Sequence, residues 1–482
     1  MTVRDLEPRA VWEQFDGITR VPRPSKKEGR IIEYLVEFAR RNGIECKRDR
    51  IGNVVMRRPA AAGYEDRPTV ILQSHMDMVC EKNSDVDFDF ENDAIRTRVD
   101  DGWVRAEGTT LGADCGIGMA AALAMMIDSE TKYGALEALF TVDEETGLTG
   151  AFGLGEGMLT GKYLINLDSE DEGEIFIGCA GGIDTVAEFR YKREAAPKGY
   201  VFYRFDVSEL VGGHSGDDID KGRANSNKIA ARLLYEAQGR YDARLSYMDG
   251  GNLRNAIPRE AYAVFGIPAK MRSAFEERYA AFAEEVKEEF RLTDPDMRLS
   301  LSEMPEVGEV MDAESQRRLV GAAMCVANGV VAMSQAVKGL VETSTNLASV
   351  KFVGEDRIVV TTSQRSSVES AKLYAMQTVE AAFALAGAEV SHSDGYPGWT
   401  PDPDSRLLRL TEECYRRLFG AEPKVRAVHA GLECGLFLEK YPELEMVSFG
   451  PTIRGVHSPD ERLEIATVDK FWRLLREVVK SI

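Results

Sequence analysis

Val70-Ile71-Leu72-Gln73-Ser74-His75-Met76-Asp77 is the stretch on which the fold turns. A short apolar run ends in a histidine, and an aspartate follows two residues later. Such runs read as strands buried on both faces, the kind found in parallel sheets. Open α/β sheets bind ligands at the carboxyl ends of their strands, which is where His75 falls. Two further runs end in the same manner. Leu136–Val142 leads into Glu144-Glu145, and Tyr163–Leu167 leads into Asp168. A small-residue helix pattern, Gly116–Ile127, lies between the first two. Upstream, Ser25 with Glu28 three positions on forms a capping-box pattern. It precedes a helix carrying Ile31, Ile32, Leu35, Phe38 and Ala39 that stops at Gly43. Strands alternating with helices predict an α/β domain with a mostly parallel central sheet.

From about residue 187 the rhythm changes. The order becomes strand 201–207, helix 225–235, strands 243–247 and 261–265, helix 274–290 and strand 298–301. A second pass has a helix over 315–336, a hairpin of 345–352 with 357–362, a helix over 368–386 and a strand at 388–391. Two βαββαβ-like halves are expected. The α/β rhythm then returns through 407–419, 429–438 and 446–449. The expected architecture is therefore a catalytic domain of residues 1–186 and 388–482, interrupted by an inserted α+β lid domain, 187–387.

At 482 residues the chain exceeds what one core serves, since single cores stop growing at roughly 250–300 residues. Its 80 acidic and 60 basic side chains give a net charge of −20, a field that repels phosphate backbones and anionic lipids. Neither nucleic acid nor a membrane is an expected partner. Seven cysteines without a CxxC pair fit free thiols in a reducing compartment. The N-terminal residues lack an apolar signal core, and the apolar stretch 119–127 is too short to span a bilayer. A cytoplasmic location is expected.

The chain has only five histidines. His75 sits near one end and His457 near the other, with Asp114, Glu144-Glu145 and Asp168 between. Imidazole and carboxylate together suit zinc or manganese. Two metals roughly 3.5–4 Å apart need a bridging carboxylate. Asp114, in Leu111-Gly112-Ala113-Asp114-Cys115-Gly116, is the natural bridge, because small neighbours let the backbone approach closely. His75 and Asp168 would complete one metal, Glu145 and His457 the other. Asp77 lies on the same side of an extended chain as His75 and is placed to accept its N–H. Glu144 neighbours a ligand but points elsewhere, so it can serve as general base. Cys115 raises thiolate ligation, but no other cysteine is spaced to help. Gly153-Leu154-Gly155-Glu156-Gly157 mimics part of a dinucleotide motif without its βαβ setting.

These motifs resemble those of the bacterial aminoacyl-histidine dipeptidases (peptidase D, cytosolic non-specific dipeptidase), within the di-zinc aminoacylase and carboxypeptidase clan. The resemblance rests on Ser74–Asp77, Gly112–Gly118, Asp143–Gly147, Asn166–Glu170, Gly178–Gly182, Gly212–Gly216, Gly251–Pro258, His429–Gly435 and Gly450–Arg454. It implies two Zn2+ per chain, with Mn2+ or Co2+ as substitutes. His75, Asp114 and Asp168 would hold one ion, and Asp114, Glu145 and His457 the other. Glu144 would be the base and Asp77 the residue that orients His75. The resemblance also implies substrate contacts from His214 and Asn255 in the inserted domain, and an Arg365 that pairs with the substrate's C-terminal carboxylate. It further implies a cis peptide after Asp114. Family members commonly carry Asn where this chain has Cys115. His392 reads as structural, and His429 leaves substrate contact and scaffold both open.

The implied reaction is hydrolysis of Xaa-His dipeptides, β-Ala-His included, with broad dipeptide specificity. A zinc-bridged hydroxide would attack, with Glu144 as general base. Short peptides are the expected partners, and monomer and homodimer through the inserted domain both stay open. The rivals are an aminoacylase acting on N-acyl amino acids and a non-catalytic metallo-scaffold. No ligand position is missing, which counts against the scaffold.

Overall fold

The computed structural model describes residues 2–482 and divides into two compact units. The first comprises the residues up to Gly178 with Pro401–Ala427 and Leu432–Ile482; the second comprises Cys179–Thr400 with Val428–Gly431. The insertion thus begins and ends outside the expected 187–387. The strand Gly181–Arg190 pairs along its length with Arg357–Ser366, which makes it part of the second sheet. Bridges from Cys179 to Trp399 and from Gly182 to Tyr396 carry the loop after His392 into the same unit.

The first unit is built on an eight-stranded sheet. Its order is Glu45–Arg48, Val54–Arg58, Leu136–Thr141, Val70–His75, Tyr163–Asn166, Glu445–Ser448, Glu174–Cys179 and Lys424–Val428. The sheet is mixed. Val70–His75 runs parallel to Leu136–Thr141 and Tyr163–Asn166, and Glu445–Ser448 continues that set. Glu45–Arg48 with Val54–Arg58, Val54–Arg58 with Leu136–Thr141, and Glu445–Ser448 with Glu174–Cys179 are antiparallel. The first hairpin shows why. Asp49 Oδ1 accepts the N–H groups of Ile51, Gly52 and Asn53, and Gly52 takes φ +121°. That tight reversal joins neighbouring strands directly, whereas parallel neighbours need a long crossover.

Val70–His75, Leu136–Thr141 and Tyr163–Asn166 are buried along their whole length. Polar residues within them, such as Gln73 and Asn166, therefore have to find partners inside the protein. The helix Ala113–Ile127 packs on this sheet and buries almost every residue. Gly118 permits the approach: a Cβ there would stand 2.6 Å from the Leu167 carbonyl. The amphipathic helix Gly29–Arg41 buries Ile31, Ile32, Leu35 and Ala39. The expected Ser25 capping box is absent. The Ser25 hydroxyl donates instead to Asp77 Oδ2 at 2.7 Å.

The second unit carries a nine-stranded sheet of two βαββαβ halves. In one half Tyr200–Ser208, helix Ser226–Tyr241, Arg244–Gly250, Ala261–Pro268, helix Arg272–Glu289 and Arg298–Met304 follow in sequence. In the other, Gly181–Arg190 is the first strand, and the chain inserts the whole first half before returning to helix Ala313–Cys325. Val341–Val353, Arg357–Ser366, helix Glu369–Leu385 and Glu389–His392 complete it. Each half orders its strands fourth, first, third, second. The halves join where Asp249 and Gly250 pair with Lys351 and Val350. The helix expected over 315–336 stops at Cys325. Gly329, at φ +96°, opens a strand to Met333 that pairs with Val341–Val353.

Candidate metal centre

All the metal-ligating residues expected from the sequence lie in the first unit, and the fold brings them together. Asp114 divides its carboxylate between two imidazoles. Oδ1 is 3.1 Å from His75 Nε2, and Oδ2 is 3.2 Å from His457 Nε2. His75 Nε2 is also 3.2 Å from Asp168 Oδ1, and His457 Nε2 is 3.0 Å from Glu145 Oε2. Two donors bound to one tetrahedral ion at about 2.0–2.2 Å stand roughly 3.3–3.6 Å apart. The observed spacings are close to that. Glu145 Oε1 and Asp168 Oδ1 are buried without a hydrogen-bond partner, a costly state unless a cation meets them. The residues therefore fit two divalent ions sharing Asp114.

The charge pattern agrees. Burial opposes protonation of His75, yet Asp168, Asp114 and Asp77 drive it well above its ordinary range. Hydrogen bonds to Asp114 and Glu145 raise His457 to about 11. Burial works against the Asp114 carboxylate, but the two imidazoles hold it well below the usual range. Burial raises Asp168 to about 6. The cluster thus favours positive charge at its centre, which two divalent ions would supply.

Strand geometry places Asp77 as expected: its Oδ1 is 3.3 Å from His75 Nδ1. Asp77 also accepts the N–H of Glu144 at 3.1 Å and of Glu145 at 3.3 Å. One side chain thereby holds the turn that presents both glutamates and lies beside the ring of His75. Carboxylate oxygens of Glu144 and Glu145 and a ring nitrogen of His75 fall within 4.8 Å of one another. Burial, only partly offset by His75, pushes the Glu144 carboxyl well above its ordinary value, as a group that must accept a proton requires. The Asp114–Cys115 peptide is cis, as the resemblance implies. Cys115 Sγ lies within 4.8 Å of ligand atoms of His75 and Asp168. It donates to the Leu167 carbonyl at 3.4 Å, and burial pushes its thiol well up.

Three supporting residues were not read from the sequence. Glu461 accepts N–H groups from Leu111 at 2.7 Å, Gly112 at 2.9 Å, Ala113 at 2.7 Å and Asp114 at 3.3 Å. Arg23, fully enclosed, donates to the Asp77 carbonyl at 2.5 Å and to the Gly112 carbonyl. Glu433 accepts from Gln73 Nε2 at 2.6 Å and Thr141 Oγ1 at 2.8 Å. Gln73 in turn accepts from Asn166 at 2.6 Å. Polar groups at the ends of three adjacent strands are so joined beneath the ligands. Only Glu433 had a local signal, a glutamate among glycines in a quoted motif.

The remaining expected residues belong to the second unit. His214 ends a two-residue strand paired with Ala256–Ile257, and Asn255 lies beside it, its carbonyl accepting the Ser215 N–H at 2.8 Å. His214 Nδ1 is 3.4 Å from Asp217 Oδ2. Arg365, 7% exposed, donates from Nη1 to the Tyr396 hydroxyl at 2.8 Å. His429 is buried, with Nε2 2.7 Å from Ser344 Oγ. His392 bonds Thr185 at 3.0 Å in a strand pair.

Residues 71–481 match the model of peptidase family M20/M25/M40. The chain belongs to that family. It is 42% identical over 477 residues to the cytosol non-specific dipeptidase of Escherichia coli K12, covering 99% of this chain and 98% of the relative. The crystal structure of the aminoacylhistidine dipeptidase of Vibrio alginolyticus superposes with a TM-score of 0.95 at 42% identity, over 100% of this chain and 98% of that one. A Staphylococcus aureus tripeptidase, 15% identical with a TM-score of 0.57 over 99% and 98% of the two chains, shares the fold. This M20 chain has no helix, among the described residues, long and apolar enough to cross a membrane.

Proposed function

We propose that this M20 family member is a cytoplasmic metallo-dipeptidase that cleaves Xaa-His substrates, β-Ala-His included, within a broad dipeptide range. The observation that carries the reading is the Asp114 carboxylate set between His75 and His457, with Glu144 held at the same cluster by Asp77. Two Zn2+ fit these donors, with Mn2+ or Co2+ as substitutes; when bound they would acidify a water and polarise the scissile carbonyl. His75, Asp114 and Asp168 would hold one, and Asp114, Glu145 and His457 the other. Asp77, with Oδ1 3.3 Å from His75 Nδ1, would orient that ring. Glu144 takes a proton from the attacking water and returns it to the leaving amine. The resemblance assigns His214, Asn255 and Arg365 of the second unit to substrate contacts, Arg365 to the C-terminal carboxylate.

The names of the 42% identical relatives support the substrate class. The test is metal analysis of the purified protein with an assay on Ala-His, β-Ala-His and N-acetyl amino acids. Turnover of both dipeptides, with two metals per chain, is expected. Turnover of the N-acetyl amino acids alone would replace this reading by the aminoacylase one.

A further inference from the structure

Arg365 sits in an unusual position for a guanidinium. It is 7% exposed, and no carboxylate of the described residues comes within the 4.0 Å of an ion pair. Nη1 has one partner, the Tyr396 hydroxyl at 2.8 Å, and Nε is buried with none. A charge taken out of water this far is costly unless an anion meets it. Arg binds carboxylates best through two parallel N–H groups. With Nη1 committed to Tyr396, the edge formed by Nε and Nη2 remains for such a fork.

Tyr396 is held firmly enough to impose that choice. Its N–H donates to the Gly182 carbonyl at 2.8 Å, and its own carbonyl accepts from Gly182 at 3.0 Å. Lys372, 4% exposed, adds a bond from Nζ to the same carbonyl at 2.7 Å. The ring lies between two glycines. A Cβ at Gly182 would stand 2.7 Å from Tyr396 Cζ, and one at Gly431 would stand 2.8 Å from Cε2. Three separated segments, 178–182, 394–399 and 428–431, thus converge on one phenol whose only hydrogen bond among the described residues is to Arg365. Burial keeps that phenol protonated, opposed in part by Arg365. Its oxygen therefore remains a neutral acceptor and does not neutralise the guanidinium.

We infer that Tyr396 is a positioning residue for substrate specificity: by fixing Nη1 of Arg365 it aims the Nε–Nη2 edge at the C-terminal carboxylate of a dipeptide. This rests on the reading of Arg365 as the carboxylate-binding residue. The experiment compares Ala-His with Ala-His amide, which lacks the carboxylate, in the metal-loaded enzyme. Tyr396→Phe is expected to raise KM for Ala-His about tenfold, with kcat within twofold and the amide unaffected. In an Arg365→Met background the same change is expected to add nothing. Gly431→Ala, whose Cβ would stand 2.8 Å from Tyr396 Cε2 and 3.2 Å from its hydroxyl and so displace the ring while keeping the phenol, is expected to give the same penalty on the free dipeptide alone. An equal effect on dipeptide and amide, or an additive effect in the double variant, would overturn the inference. If Arg365→Met itself fails to distinguish the two substrates, the reading of Arg365 falls first and this inference with it.

Discussion

Glu461 and Asp114 stand 347 residues apart, and the carboxylate of the first accepts the backbone N–H of the second at the end of a run of four. On the other side of the same turn Arg23 takes the Gly112 carbonyl. The aspartate between the two imidazoles is therefore aimed by a buried cradle that ligates nothing itself.

Glu461→Gln should expose what that cradle does. The amide keeps the shape but turns one acceptor oxygen into a donor facing N–H groups. Removal of residues that orient ligands typically costs 10–100-fold in metal affinity. A loss in that range is expected in competition titrations against a zinc indicator. Wild-type affinity in a folded variant would show that the Asp114 turn holds itself.

Glu144→Gln should keep both metals and lose activity by about 10²–10⁴-fold. The amide remains beside Glu145 and His75 but cannot take a proton. Metal content is read by elemental analysis and turnover with Ala-His. Activity within threefold of the parent would remove Glu144 from the base position.

Chelation should lower the melting temperature as well as abolish turnover. An ion that binds only the folded state adds about 2.7 kcal/mol when its free concentration is 100 times its Kd. Asp114 faces both imidazoles, while Asp168 faces one. Asp114→Asn should therefore forfeit the stabilisation from both ions and Asp168→Asn that from one. Equal losses on metal-dependent melting curves would contradict the shared ligand.

Much of this site was legible because His75, Glu144-Glu145 and Asp168, three of the expected ligand positions, end or closely follow buried strands. A periodic apolar run that stops at His75, at Glu144-Glu145 or at Asp168 marks the sheet's carboxyl edge in one dimension. The two-half order of the second unit was legible for the same reason. What escaped was set by distance in sequence. Glu461 bonds backbone N–H groups, which carry no residue signature, and Arg23 bonds carbonyls. Ser25 was read as a helix cap because its spacing to Glu28 fits one, but Asp77, 52 residues on, claimed the hydroxyl. The antiparallel hairpin at one edge of the first sheet turns on the Asp49–Asn53 reversal, and the alternation of helix and strand does not register it. The overlong helix over 315–336 missed Gly329, whose left-handed backbone begins a strand.

His429 supplies a test that does not depend on metals. Burial, then the charge of Arg365, lowers its pKa to about 4, against 6.5 for an ordinary imidazole, with Asp217 opposing. Between those values the unfolded chain binds a proton that the folded chain refuses. Stability should therefore rise with pH through this window and be lost as acid is added, by up to roughly 1.4 kcal/mol per pH unit from this group. His429→Gln removes the titrating site while leaving a polar group for Ser344. Urea unfolding of the chelated proteins at pH 6.5, 5.5 and 4.5 should show the parent losing more stability than the variant. Carboxylates elsewhere titrate in both proteins and cancel in the difference. Parallel losses would mean that His429 accepts its proton in the folded state, and that the pocket shared with Arg365 is wetter than its burial indicates.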